Sequence, residues 1–196
     1  MSRLLLALLL LVLGGCSSEE RAVSQPRKVV LVPIGPVPAE VLSHLQKELP
    51  ALVDREVVIG DAIAPPAKAF DVKRGQYLGT AILEELARHD VEDADRVFGI
   101  IDADAYAPGL NFIFGQARLP GRVAFIALPR LRDSFRGRPD NVPRFHERAL
   151  KESVHELGHS FGFQHCPDPQ CVMHFSNSFL DTDRKGARYC VRHEVP

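Results

Sequence analysis

The sequence has no tryptophan, three tyrosines and two methionines, so eleven phenylalanines and the branched aliphatics must fill whatever core it builds. It has no apolar run of the ~20 residues that a membrane-spanning helix needs. The longest, Leu4 to Leu13, is ten residues. No charge of either sign is in excess: 24 lysines and arginines face 25 acids, a formal net charge of -1, which leaves no electrostatic footprint for a nucleic-acid partner. Arg130, Arg132, Arg136 and Arg138 do gather in one stretch, but no nucleic-acid motif accompanies them and the stretch reads as a solvated loop. Cysteine is scarce at four, too few for a disulfide-built scaffold. A chain of 196 residues that is 45% hydrophobic and 25% charged, without repeats or low-complexity tracts, suits one globular domain.

Short β-branched runs alternate with helical spacing. Lys28 to Ile34, Glu56 to Ile59, Arg96 to Asp102 and Val123 to Leu128 read as strands, as does the apolar run Gly109 to Gly115. Val41, Leu42, Leu45 and Leu49 recur at helical spacing up to Pro50, and Leu78, Ile82 and Leu86 predict a helix over Gln76 to His89. Asn141 and Pro143 suit the start of a third helix reaching about Phe161. Such alternation predicts a mixed sheet with helices packed on it.

Within that last helix lies His155-Glu156-Leu157-Gly158-His159, followed by Gly162 and His165. Histidines four apart stand one above the other on a helix face and can aim two imidazoles at one ion. Catalytic zinc takes a third protein ligand, and His165 can supply it only if the helix ends first. Gly162, free to adopt positive φ, permits that turn. Glu156 is placed to accept a proton from water activated by the metal, as a general base. Five fixed positions of this kind arise by chance in such a chain with a probability of about 10⁻⁵ to 10⁻⁴.

The two ends carry further chemistry. Arg3 and the apolar run Leu4 to Leu13 have the form of a signal peptide, and Leu13-Gly14-Gly15-Cys16 resembles the lipobox of bacterial lipoproteins. The expected organisation is a signal peptide over 1–15, a tether lipidated on Cys16 over 16–27, and one domain over 28–196, placing the protein on the cell envelope. At the other end Cys166, Cys171, Cys190 and His193 could hold a second zinc in a closed site over 166–196. The competing reading is a disulfide, which would leave one cysteine unpaired if Cys16 is lipidated.

The run His155 to His165, continued by Cys166, Cys171, Met173 and Cys190, resembles the archaemetzincins, a branch of the metzincin zinc peptidases. The likeness extends to Gly109-Leu110-Asn111-Phe112-Ile113-Phe114-Gly115 and to Phe175-Ser176-Asn177-Ser178, covering roughly residues 28 to 193. It implies an α+β, zincin-like fold: a mixed twisted sheet with packed helices, an active-site helix and a cysteine-rich C-terminal segment. It implies two Zn²⁺ per chain: a catalytic ion on His155, His159 and His165 with Glu156 as general base and acid, and a structural ion on Cys166, Cys171 and Cys190. Met173 would form a turn beneath the catalytic metal. The family usually closes with a fourth cysteine where this chain has His193, itself a competent ligand.

The reading is then a monomeric zinc peptidase acting on peptides or proteins, tethered to the membrane by its N-terminal lipid, with Asn111, Phe112, Ile113 and Phe114 as an edge strand for an extended substrate. His174 could aim at the cleft to steady an oxyanion, although a packed histidine is the commoner role. A zinc-dependent peptide-binding lipoprotein with little turnover shares every ligand and differs only in what Glu156 does.

Overall fold

A computed structural model describes residues 27–89 and 91–196, so the expected signal peptide and Cys16 lie outside the described residues. The order is β1 (Lys28–Ile34), α1 (Ala39–Glu48), α2 (Pro50–Val53), β2 (Glu56–Ile59), β3 (Phe70–Asp71), β4 (Gln76–Leu78) and α3 (Gly79–Arg88). It continues with β5 (Arg96–Ile101), β6 (Ala105–Tyr106), β7 (Gly115–Ala117), β8 (Val123–Ala127), α4 (Val142–Phe161) and α5 (Phe179–Arg184).

Five strands form the main sheet in the order β2-β1-β5-β8-β7, with β7 alone antiparallel at one edge. Strands buried on both faces have no polar side to show, which is why β1, β5 and β8 read as near-continuous apolar runs. Their alternation divides the core in two. Val29 and Leu31 of β1, Phe98 and Ile100 of β5 and Ala124 and Ile126 of β8 pack with α1 and α4. The alternate residues, Val30 and Val32, Val97 and Ile101, Val123 and Phe125, pack with Ile82, Leu83 and Leu86 of α3. Each fully buried large aliphatic contributes ~1.5–3 kcal/mol relative to exposure.

Three elements depart from the sequence reading. Pro50 does not close the helical region but opens α2, since proline is at ease in a first turn and Leu49 stays in helical geometry (φ -62, ψ -39). Gln76 to Leu78 is the strand β4, not helix; it lies in a second sheet ordered β3-β4-β6, and the Gln76 amide donates to Asp104 and to the Asn111 carbonyl.

The third departure bears on the site: Asn111 to Phe114 is not a strand. The carbonyls of Leu110 and Asn111, which a ladder would use, accept instead from the Arg74 guanidinium at 3.1 and 3.0 Å. Ile113 makes a single bridge to Ala105, and regular edge pairing begins only at Gly115.

At the centre of the sheet, Gly99 leaves room for the layer that packs with α3. A Cβ there would meet Leu86 at 2.8 Å, Ile34 at 2.9 Å and Phe125 at 3.1 Å. Gly99→Val should therefore destabilise the fold by about 1–3 kcal/mol through overpacking, read by thermal or denaturant unfolding. Unchanged stability would contradict the packing described.

Candidate active site and metal centres

Helix α4 carries the site. Asn141 caps it by accepting from the Arg144 N–H at 3.0 Å, and Gly162 ends it in the left-handed region at φ +103. The Gly162 N–H donates to the His159 carbonyl and the Phe163 N–H to that of Gly158, so the chain turns sharply there and brings His165 back.

His155, His159 and His165 converge. The Nε2 of His159 stands 3.1 Å from that of His155 and 3.2 Å from that of His165. Ligands of a tetrahedral zinc at a Zn–N distance of ~2.05 Å are spaced by about 3.3 Å, so the three nitrogens fit that ion. Their tautomers are fixed from behind: Nδ1 of His155 donates to the Val172 carbonyl at 2.8 Å and Nδ1 of His159 to the Phe163 carbonyl at 2.7 Å. Nε2 is then a bare lone pair on both rings. Burial first, and then neighbouring Lys185 and His159, hold His155 well below the usual imidazole range. Burial likewise lowers His159 and His165. The rings are neutral and ready to ligate.

Glu156 is buried beside them and lines the same cleft. Burial, then the like charge of Glu152 one turn earlier, pushes its carboxyl well above the usual range, with Lys185 opposing. It faces β7 across a glycine. A Cβ on Gly115 would lie 2.6 Å from Glu156 Cγ, so the sheet edge and the carboxylate can be neighbours only because that position has no side chain. The cleft encloses about 580 Å³ and is walled by Leu110 to Ala117 on one side and Gln164, His165 and Phe175 to Asn177 on the other. Asn111, Phe112, Ile113 and Phe114 thus line it, as irregular chain beside the edge and not as the edge strand itself.

The C-terminal cluster also assembles. Cys166 Sγ is 3.8 Å from Cys190 Sγ, and His193 Nδ1 is 3.7 Å from Cys171 Sγ and 3.4 Å from Cys190 Sγ. For a tetrahedral Zn–S of ~2.3 Å the expected S···S spacing is about 3.8 Å. The three thiols are free of one another, so the disulfide reading is not the arrangement found among the described residues. Burial pushes the Cys171 thiol up to about 11, as expected where a second thiolate would have no cation to face.

Met173 is fully buried against the turn of α4 between the two helical histidines; a Cβ on Gly158 would lie 2.4 Å from its sulfur. His174 does not line the cleft: its Nδ1 pairs with the Cys166 carbonyl at 3.0 Å. The arginine stretch is not simply solvated, since Arg130 clasps Asp104 and Arg132 clasps Asp102, both through two bonds of 2.6–2.8 Å.

Sequence reading missed a buried polar group behind α4. Lys185, with no exposed surface, lies 3.1 Å from Glu152, which also accepts from the Thr182 hydroxyl at 2.8 Å. The signal was available in part: Ser178 to Asp181 has capping-box spacing, and the Asp181 carboxylate does accept from Ser178 N–H and hydroxyl, starting the helix that delivers Thr182 and Lys185.

A model of Peptidase family M54 matches residues 40–194, downstream of Cys16. The archaemetzincin of Pyrococcus abyssi is 45% identical over 171 residues, covering 84% of this chain and 90% of the relative. That of Methanopyrus kandleri is 51% identical over 128 residues, 65% of this chain and 69% of the relative. Its crystal structure superposes with a TM-score of 0.76 at 40% identity, covering 86% of this chain and 92% of that one. The Archaeoglobus fulgidus archaemetzincin, solved with malonate, gives 0.73 at 33%, covering 84% and 96%. These relatives are archaeal, and no helix among the described residues is long and apolar enough to cross a membrane. With the convergent histidines and the mixed sheet, these matches show that the chain belongs to peptidase family M54, the archaemetzincins, and is a zinc-dependent metallopeptidase.

Proposed function

We propose that the chain hydrolyses peptide bonds with Glu156 as general base and acid beside a zinc held by His155, His159 and His165, and that a second, structural zinc sits on Cys166, Cys171, Cys190 and His193. The observation that carries this reading is three imidazole Nε2 atoms converging at 3.1–3.2 Å beside a buried carboxyl in an open cleft. When bound, catalytic zinc acts as a Lewis acid that brings the pKa of a coordinated water to about 7 and polarises the scissile carbonyl.

The chain's own residues do the rest. The Val172 and Phe163 carbonyls hold the His155 and His159 rings in the ligating tautomer. Glu156, made more basic than an exposed glutamate by burial and by Glu152, takes the proton of the attacking water and passes it to the leaving amine. The outer edge of β7 offers backbone N–H and C=O groups to an extended peptide, and Gly115 keeps that edge within reach of Glu156.

Glu156→Gln separates hydrolysis from metal binding. Turnover should fall by about 10²–10⁴-fold with zinc content unchanged, whereas activity retained in the variant contradicts the assigned role, and a protein that only binds peptide would keep its function. The same variant tests the electrostatics. Because the folded-state pKa of Glu156 is raised, its favourable contribution is present below the unfolded value and is lost as pH rises through the folded one. Metal-free Glu156→Gln should therefore gain in Tm over the wild type at pH 8 and differ little at pH 4; a loss at pH 8 is the opposing result.

The N-terminal part of the proposal rests on the pattern Leu13 to Cys16 alone. Cys16 carries the lipid that holds the peptidase to an envelope membrane, by way of the polar segment 17–27. Mass spectrometry of membrane-derived protein should find a diacylglyceryl group on Cys16, with Cys16→Ala released in soluble form. An unmodified Cys16 in protein that fractionates away from membranes rules the anchor out.

A further inference from the structure

Arg136 is the member of the arginine stretch that the fold leaves without an acid. Arg130 is paired with Asp104, Arg132 with Asp102, Arg148 with Asp183 and Asp133, and Arg138 reaches Asp133 at 3.7 Å. Asp140, the remaining acid of the loop, accepts from the Ser134 N–H. Among the described residues no carboxylate lies within ion-pair distance of Arg136, and its one hydrogen bond goes to the Arg130 carbonyl at 3.0 Å. A guanidinium has five N–H donors, so most of this one's face solvent.

The side chain is nonetheless held in place. Its guanidinium stacks 4.0 Å over the Phe179 ring, which Arg148 and Arg138 also approach, at 4.6 and 5.2 Å. Its backbone closes a 3-10 turn, Ser134–Arg136, that Gly137 terminates at φ +70. Burial first, then the charges of Arg130, Arg148 and Arg138, hold Arg136 below the ordinary guanidinium range, with only Asp133 opposing. This is a cation kept among cations, and an incoming anion relieves that repulsion.

Arg136 does not itself line the cleft, but its partners adjoin residues that do. Arg130, whose carbonyl Arg136 grips, lies 4.3 Å over Phe112 of the cleft wall. Phe179 follows Ser176 and Asn177 of the opposite wall. Phe135 and Leu180 nearby are 44% and 50% exposed, so the surface around the charge is apolar and open. We propose that Arg136, beside the cleft and outside its lining, is an anion subsite that takes a carboxylate of an extended substrate peptide and so determines specificity. The inference rests on the peptidase assignment, which supplies a ligand bearing carboxylates; the guanidinium fork supplies the matching donors.

The test uses peptides in which one glutamate is moved stepwise along an otherwise uncharged sequence, each compared with its glutamine counterpart, in carboxylate-ended and amide-ended forms. At one register the glutamate peptide should show a KM about two- to fivefold lower than its counterpart, with kcat unchanged. Arg136→Gln should abolish that ratio, Arg136→Lys retain part of it, and high salt weaken it. If the ratio is one but the amide cap raises the KM of both members, by an amount that Arg136→Gln removes, the carboxylate recognised is the chain end. Loss of the stacking on Phe179 would depress both members of a pair equally and leave the ratio intact, so the ratio isolates the charge. A ratio of one at every register with no effect of the amide cap, or the same ratio in Arg136→Gln, overturns the subsite while leaving the peptidase standing. Hydrolysis of no peptide by the zinc-loaded wild type overturns the peptidase assignment and the subsite with it.

Discussion

The lone pairs of His155 and His159 are aimed at one point that the Nε2 of His165 also approaches, and lone pairs so placed repel each other unless a proton or a cation stands between them. In this chain the repulsive arrangement is built into the fold: the helix sets His155 above His159, two backbone carbonyls fix their tautomers, and Gly162 returns His165 to the same point. The cysteine cluster repeats the logic at Cys171, whose ionisation burial disfavours until a cation compensates. Because Cys166 follows His165 directly, and the Cys166 N–H donates to the Met173 carbonyl, the two clusters share one loop. The geometry of one cluster is therefore tied to that of the other.

Around that centre the fold works by close approach. Gly115 lets the sheet edge lie against Glu156, and Gly158 lets Met173 lie against the helix that carries the ligands. Neither glycine has positive φ; each is small because a neighbour occupies the space of its side chain. The buried Lys185 and Glu152 pair then fastens α5 behind α4, at the cost of desolvating both charges.

Most of the metal chemistry was legible in the sequence because it is local: ligand spacing, a helix cap at Asn141 and a terminating glycine at Gly162 all act within one turn. The main strands were legible for a related reason, since burial on both faces leaves uninterrupted apolar runs. What the sequence hid depends on distant partners. The apolar run Asn111 to Phe114 has the composition of a strand, but its neighbouring carbonyls are taken by Arg74, and Gln76 was misplaced in a helix because its partners, Asp104 and Asn111, are remote. The arginines from 130 to 138 read as a solvated loop until their carboxylates and Phe179 were found opposite them.

Zinc stoichiometry by elemental analysis, on the wild type beside His159→Ala and Cys171→Ser, tests the central claim most directly. Two zincs in the wild type, with one lost in each folded variant, is the predicted result. One zinc in the wild type, lost with His159 alone, contradicts the second centre, and no zinc after metal-replete preparation contradicts the claim that these converging lone pairs exist to hold one.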